Sequence, residues 1–107
     1  MAAKSARRLM LEQNLAEDPG DTFLRYGLAM QCLRDGDTAE GRERLRALIA
    51  DHPDDQVAAY QQLGQSYLES EEYALAAAVL DEGIAKARAK GDLHAAEEMT
   101  GLRMQAG

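Results

Sequence analysis

Apolar residues recur along this chain at intervals of three and four, the spacing of one helix face, and short polar turns interrupt them again and again. A first stretch, 4–17, carries Leu11 and Leu15 four apart with Met10 beside them, and stops at Asp18-Pro19-Gly20. Proline cannot continue a helix, and it pushes the residue before it out of the helical region. Asp21 or Thr22 can cap a second helix, with Leu24, Leu28 and Cys32 on one stripe, ending near Asp35-Gly36. Asp37 opens a third, where "DTAE" has the form of a capping box and Leu45, Leu48 and Ile49 give the apolar face. It closes at Asp51-His52-Pro53. A fourth runs from about Asp55 to Glu69, with Tyr60, Leu63, Gly64 and Tyr67 inward. Ser70 is placed to cap a fifth, in which Ala76, Leu80, Gly83, Ile84 and Ala87 recur. After "AKGD", a sixth spans about Leu93 to Gln105. The connections are so short that neighbouring helices must run antiparallel. The expectation is an all-α chain of about six helices.

The two prolines sharpen this into a repeat. "LAEDPGD" (residues 15–21) and "IADHPDD" (49–55) match in character at almost every position, and Pro19 and Pro53 are 34 residues apart. The order of the chain is helix, turn, helix, proline, then again. A fixed period of this size is the mark of stacked helical units.

At this period the chain resembles the tetratricopeptide repeat. In residues 22–55 the resemblance rests on Leu28-Ala29, Cys32 in a tyrosine place, Gly36-Asp37, Gly41, Leu45, Leu48 and Pro53. In residues 57–90 it rests on Tyr60, Leu63-Gly64, Tyr67, Ala76, Leu80 and Gly83. Three departures stand out: Arg25 holds the aromatic place of the first unit, Arg88 replaces the closing proline of the second, and one residue is inserted between the units. The small residues fall where helix axes must approach, and the large ones fill the space between. The resemblance implies antiparallel helix–turn–helix repeats stacked as a short right-handed superhelix in a single domain. Its parts would be a half-repeat or cap (4–17), two repeats (21–54 and 55–90) and a closing helix (92–105).

Composition removes several function classes. The net charge of −7 argues against a nucleic-acid partner, which needs a dense field of Lys and Arg. No apolar run reaches the length of a membrane helix. Lys4, Arg7 and Arg8 give the first helix a basic start, read here as the solvated outer face of a cap helix and not as a membrane contact. "SARRLML" lacks the apolar region of an export signal, because "EQNLAEDPGD" follows it. The lone Cys32 excludes an internal disulfide and points to a reducing compartment, the cytoplasm.

Candidate chemistry is sparse. His52 and His94 read as surface histidines, and Asp51, His52, Asp54 and Asp55 lack the glycine and alternation of a calcium loop. Cys32 lies on a core stripe and reads as a structural thiol. No catalytic, metal or cofactor site is expected. The resemblance implies instead a concave groove lined by the first helix of each unit, holding a peptide or helix of a protein partner. The residues that fall there are Phe23, Tyr26, Met30, Leu33 and Arg34 in one unit, and Ala58, Gln61, Gln65, Leu68 and Glu69 in the next. The lysines with which one branch of that family clamps acidic C-termini are missing from both helices, so the expected ligand is apolar or mixed. The alternatives are that Phe23, Tyr26 and Leu33 pack internally, or that the same stripe joins two copies of the chain in a homodimer or scaffold.

Overall fold

The computed structural model describes residues 3–107 and is built from helices alone among them. In order these are α1 (Ala6–Glu17), α2 (Thr22–Arg34), α3 (Thr38–Asp51), α4 (Val57–Glu69), α5 (Tyr73–Lys90) and α6 (Leu93–Gln105). The chain divides into two compact units, one ending at Leu48 and one running from Ile49 to Gly107, so the division falls inside α3.

In the first unit α1 packs on α2. Leu11, Leu28 and Cys32 form a buried cluster at that seam, with Leu15 and Leu24 packed against it. The stripe spacing read from the sequence therefore sets this contact. Gly41 brings α3 close to α2: a Cβ there would lie 2.6 Å from Leu33 Cδ2 and 3.1 Å from the Ala29 carbonyl oxygen.

In the second unit α5 packs between α4 and α6. The core comprises Val57, Tyr60, Leu80, Ile84, Ala87, Ala96 and Met99, with Ile49, Leu68, Val79, Ala95 and Leu102 packed against it. Two glycines set the closeness of the helices. A Cβ on Gly64 would come within 2.5 Å of Leu80 Cδ2, and one on Gly83 within 2.6 Å of Tyr60 Cβ and 2.7 Å of Met99 Sδ. Tyr60 is fully buried, and its hydroxyl donates to the Pro53 carbonyl oxygen at 2.8 Å, which fixes the turn before α4.

The turns after α2, α4 and α5 share one geometry. After α2, Gly36 N–H reaches the Leu33 carbonyl and Asp37 N–H the Cys32 carbonyl. This is a Schellman turn, which satisfies the last free carbonyls of a helix through one residue in the left-handed region. Glu71 N–H to Leu68 and Glu72 N–H to Tyr67 repeat it after α4, and Gly91 and Asp92 repeat it after α5. Gly36 and Gly91 sit at φ 86° and 79°, whereas the middle turn places Glu71 at φ 59°.

Three local readings are corrected by these and neighbouring turns. Ser70 does not cap α5; it ends α4, and α5 begins only at Tyr73, with Glu72 as an N-cap that makes no side-chain bond. The Schellman turn takes up the two residues in between. Helix α4 begins at Val57, not near Asp55, because residues 53–55 form a turn first. The "DTAE" box is half made: Asp37 Oδ1 accepts from Glu40 N–H at 3.2 Å, but Asp37 N–H already serves the Cys32 carbonyl. The Glu40 side chain turns elsewhere.

Candidate functional site

Helix α2 is held by its cap, with Asp21 Oδ1 accepting from Leu24 N–H at 3.0 Å. Its apolar side chains divide between two faces. Leu28, Ala29 and Cys32 are fully buried, whereas Phe23 is 83% exposed. Tyr26, Met30 and Leu33 are half-buried, and Arg34 is exposed. Leu33 lies against the position of Gly41. So the stripe expected in the groove grades from a bare phenyl ring at the start of α2 to partly packed residues further along.

On α4, Ala58, Gln65 and Glu69 are exposed and Gln61 is half-buried. Gln61 donates to Glu98 on α6 at 2.9 Å, and Gln65 to Glu69 at 3.4 Å. Leu68, grouped with them by sequence, packs instead against the core of its unit. This face is polar, in contrast to that of α2.

A second constellation centres on Arg8. The reading of the basic start of the first helix as a solvated face is corrected at this residue: Arg8 is 1% exposed. Its Nη2 lies 3.0 Å from Asp37 Oδ2 and 2.9 Å from Glu40 Oε1. Its Nε makes no hydrogen bond and stands 3.6 Å from Glu12 Oε2. Burial works against the charge, but the hydrogen bond to Asp37, the Cys32 sulfur and Glu40 outweigh it and raise the pKa above the usual arginine value. Beside it, Ser5 caps α1 by accepting from Arg8 N–H at 3.1 Å and donates its own hydroxyl to Asp35 Oδ2 at 2.8 Å. Gln31 donates to Asp35 Oδ1 at 2.9 Å. Gln31 first, and Ser5 with it, hold the Asp35 carboxyl below the usual range. The hydrogen bond from Arg44, at 2.9 Å, does the same for Glu40.

The described part of the chain is similar to solved proteins. A tetratricopeptide repeat domain protein of Salinibacter ruber, in its solution structure, is 28% identical over 83% of this chain and 89% of its own, with a TM-score of 0.77. In its crystal structure the figures are 27%, 80%, 96% and 0.74. The chain has the fold of a small tetratricopeptide-like protein. A Bordetella parapertussis protein with 22% identity, covering 95% of this chain and 88% of its own, shares the fold with a TM-score of 0.82. No protein-family model matches the chain, and no curated protein does.

In this tetratricopeptide-like chain the other candidate groups have ordinary surroundings. His94 is exposed and lies 2.7 Å from Glu98 on its own helix. Cys32 is buried, with Sγ 3.5 Å from Glu40 Oε2, and burial pushes its pKa up to about 11. At neutral pH it is a thiol, a poor nucleophile. Among the described residues no cluster of His, Cys, Asp and Glu is placed to hold a metal ion, and no helix is long and apolar enough to cross a membrane.

Proposed function

We propose that this tetratricopeptide-like protein is a non-catalytic interaction module, which docks a peptide or helix of a protein partner on the exposed face of α2. The observation that carries the reading is Phe23: a large aromatic ring 83% exposed on a well-capped helix, flanked by half-buried Tyr26 and Met30. A rigid helix presenting an aromatic anchor beside further apolar side chains suits side-chain burial by an incoming segment. Leu33 and Arg34 extend that face. The partner face of a ligand would therefore be apolar or mixed toward α2. The solved relatives support the reading as proteins of this repeat architecture, a scaffold that presents surfaces.

The test is affinity capture from the native cell with the parent protein and with the Phe23→Ala/Met30→Ala double variant. Loss of a specific partner in the variant, with an unchanged thermal melt, is the expected result. Partners retained at full yield would place the binding face elsewhere. A concentration-dependent dimer that the double change abolishes would replace the reading with self-association through the same stripe.

A further inference from the structure

The first unit holds together in an unusual way. Of the residues in α1 only Arg8 and Leu11 are buried. Leu9 and Met10 point outward, 52% and 53% exposed, and Leu15 is half-buried. By comparison α5 buries Ala76, Leu80, Gly83, Ile84 and Ala87. A shallow, open hollow of about 320 Å³, lined by Glu12, Leu15, Ala16, Pro19, Leu28 and Arg44, lies along the seam over the fully buried Leu28. The apolar grip of α1 on α2 is thus narrow.

What supplements it is polar. From α1 and its cap come Ser5, Arg8 and Glu12, and from α2 and its C-terminal end come Gln31, Cys32 and Asp35. Asp37 comes from the turn, and Glu40 and Arg44 from α3. Lys4 adds an exposed pair to Glu12 at 2.9 Å. Such clusters have a particular energetic character. Buried ion pairs contribute little net stability, because both partners regain water when they separate together, yet removing one partner alone is strongly disruptive. A 12-residue helix is also marginal by itself in water, so α1 has little to hold it once it leaves α2.

We propose that α1 is a releasable cover over the Leu28–Cys32 face of α2, and that the ion cluster centred on Arg8 is the catch that keeps it shut. Opening separates Ser5 from Asp35 and Arg8 from Asp37 and Glu40 in one step, and α1 unravels as it lifts. The buried Cys32 thiol is then uncovered while α2 and the helices after Ile49 stay folded. The device concerns the α1-facing side of α2 and is independent of the Phe23 side.

The chain carries its own reporter, because Cys32 is its single cysteine. The experiment is to follow its modification by Ellman's reagent at pH 8 without denaturant, alongside amide hydrogen exchange, in the parent and in Arg8→Met. In the parent, α1 amides are expected to exchange at least ten-fold faster than those of α2 and α5 at matched intrinsic rates. In Arg8→Met, Cys32 modification is expected to accelerate at least ten-fold with α5 and α6 protection unchanged. If Arg8→Met does not fold, Ser5→Ala removes the cap and the hydroxyl bond to Asp35 while leaving Arg8 and the Ser5 N–H bond to Asp35, and the same acceleration is expected there. Parent α1 amides as protected as those of α2 would overturn the proposal. So would a rise in thiol reactivity matched by equal loss of protection throughout α2, since the unit would then open as a whole.

Discussion

Replacing Gly83 by alanine asks the structure for a sign. The change adds one methyl group in the middle of α5, where helix propensity alone favours alanine by about 0.5–1 kcal/mol. The added Cβ would stand 2.6 Å from Tyr60 Cβ, 3.2 Å from Tyr60 Cγ and 2.7 Å from Met99 Sδ. Met99 can turn its flexible side chain away, although it is itself fully buried. The Cβ of Tyr60 cannot move without its backbone, and the hydroxyl at the far end of that ring is tied to Pro53. So α4 and α5 must separate. Overpacking a core in this way costs about 1–3 kcal/mol, and after the propensity gain a net loss of up to about 2.5 kcal/mol, centred on about 1 kcal/mol, remains. For a chain of this size a loss of about 1 kcal/mol lowers the melting temperature by roughly 4–8 °C. The control is Gly101→Ala on α6, where nothing lies within 4 Å of the new atom. There the propensity acts unopposed, and the variant should gain about 0.5–1 kcal/mol. Far-UV circular dichroism melts and urea titrations of both variants read the difference directly. If Gly83→Ala melts at or above the parent temperature, the close approach of α4 and α5 is not as described.

Three further outcomes can be checked on the same instruments. Glu71→Gly should raise the unfolding free energy by about 1 kcal/mol, read as a higher urea midpoint, since glycine adopts the left-handed turn at φ 59° that a side chain resists; an unchanged midpoint would mean that the turn is not strained. Tyr60→Phe should lose about 0.5–1.5 kcal/mol with the hydrogen bond to Pro53, read by urea titration. Asp35 and Glu40 have depressed carboxyl pKa values in the folded state, from Gln31 and Arg44 respectively. Their contribution is therefore whole above their ordinary values of 3.8 and 4.5 and is lost as the pH falls through the folded values. Stability measured from pH 7 downward should stay level and then fall, and Glu40→Gln should flatten the acid limb.

The helices were legible because the positions that pack are spaced to pack. Leu28, Leu45, Leu63 and Leu80, read from their stripes, are all 3% exposed or less. The glycines at 41, 64 and 83 were legible as close approaches for the same reason. Arg8 was not, because a basic residue at a helix start ordinarily faces water, and its partners Asp37 and Glu40 lie far along the chain. A signal was nevertheless present: positions 8, 11 and 15 fall on one helix face, so Arg8 shares the stripe of Leu11 and Leu15. Glu71 was hidden because its residue type gives no hint of a left-handed turn. Only its place in the second unit, matching Gly36 in the first, carries that information. The bareness of Phe23 follows from its lying one position off the Leu24–Leu28–Cys32 stripe, but how far Tyr26 and Leu33 sink depends on neighbours that no local pattern names.

The packing of helices that adjoin in the chain has a kinetic consequence. The seams between α1 and α2, α4 and α5, and α5 and α6 all join successive helices through a short turn. Contacts between near neighbours close small loops, and chains dominated by them fold in microseconds to milliseconds. A nascent chain of this kind can consolidate each hairpin as it emerges, without waiting for a distant segment.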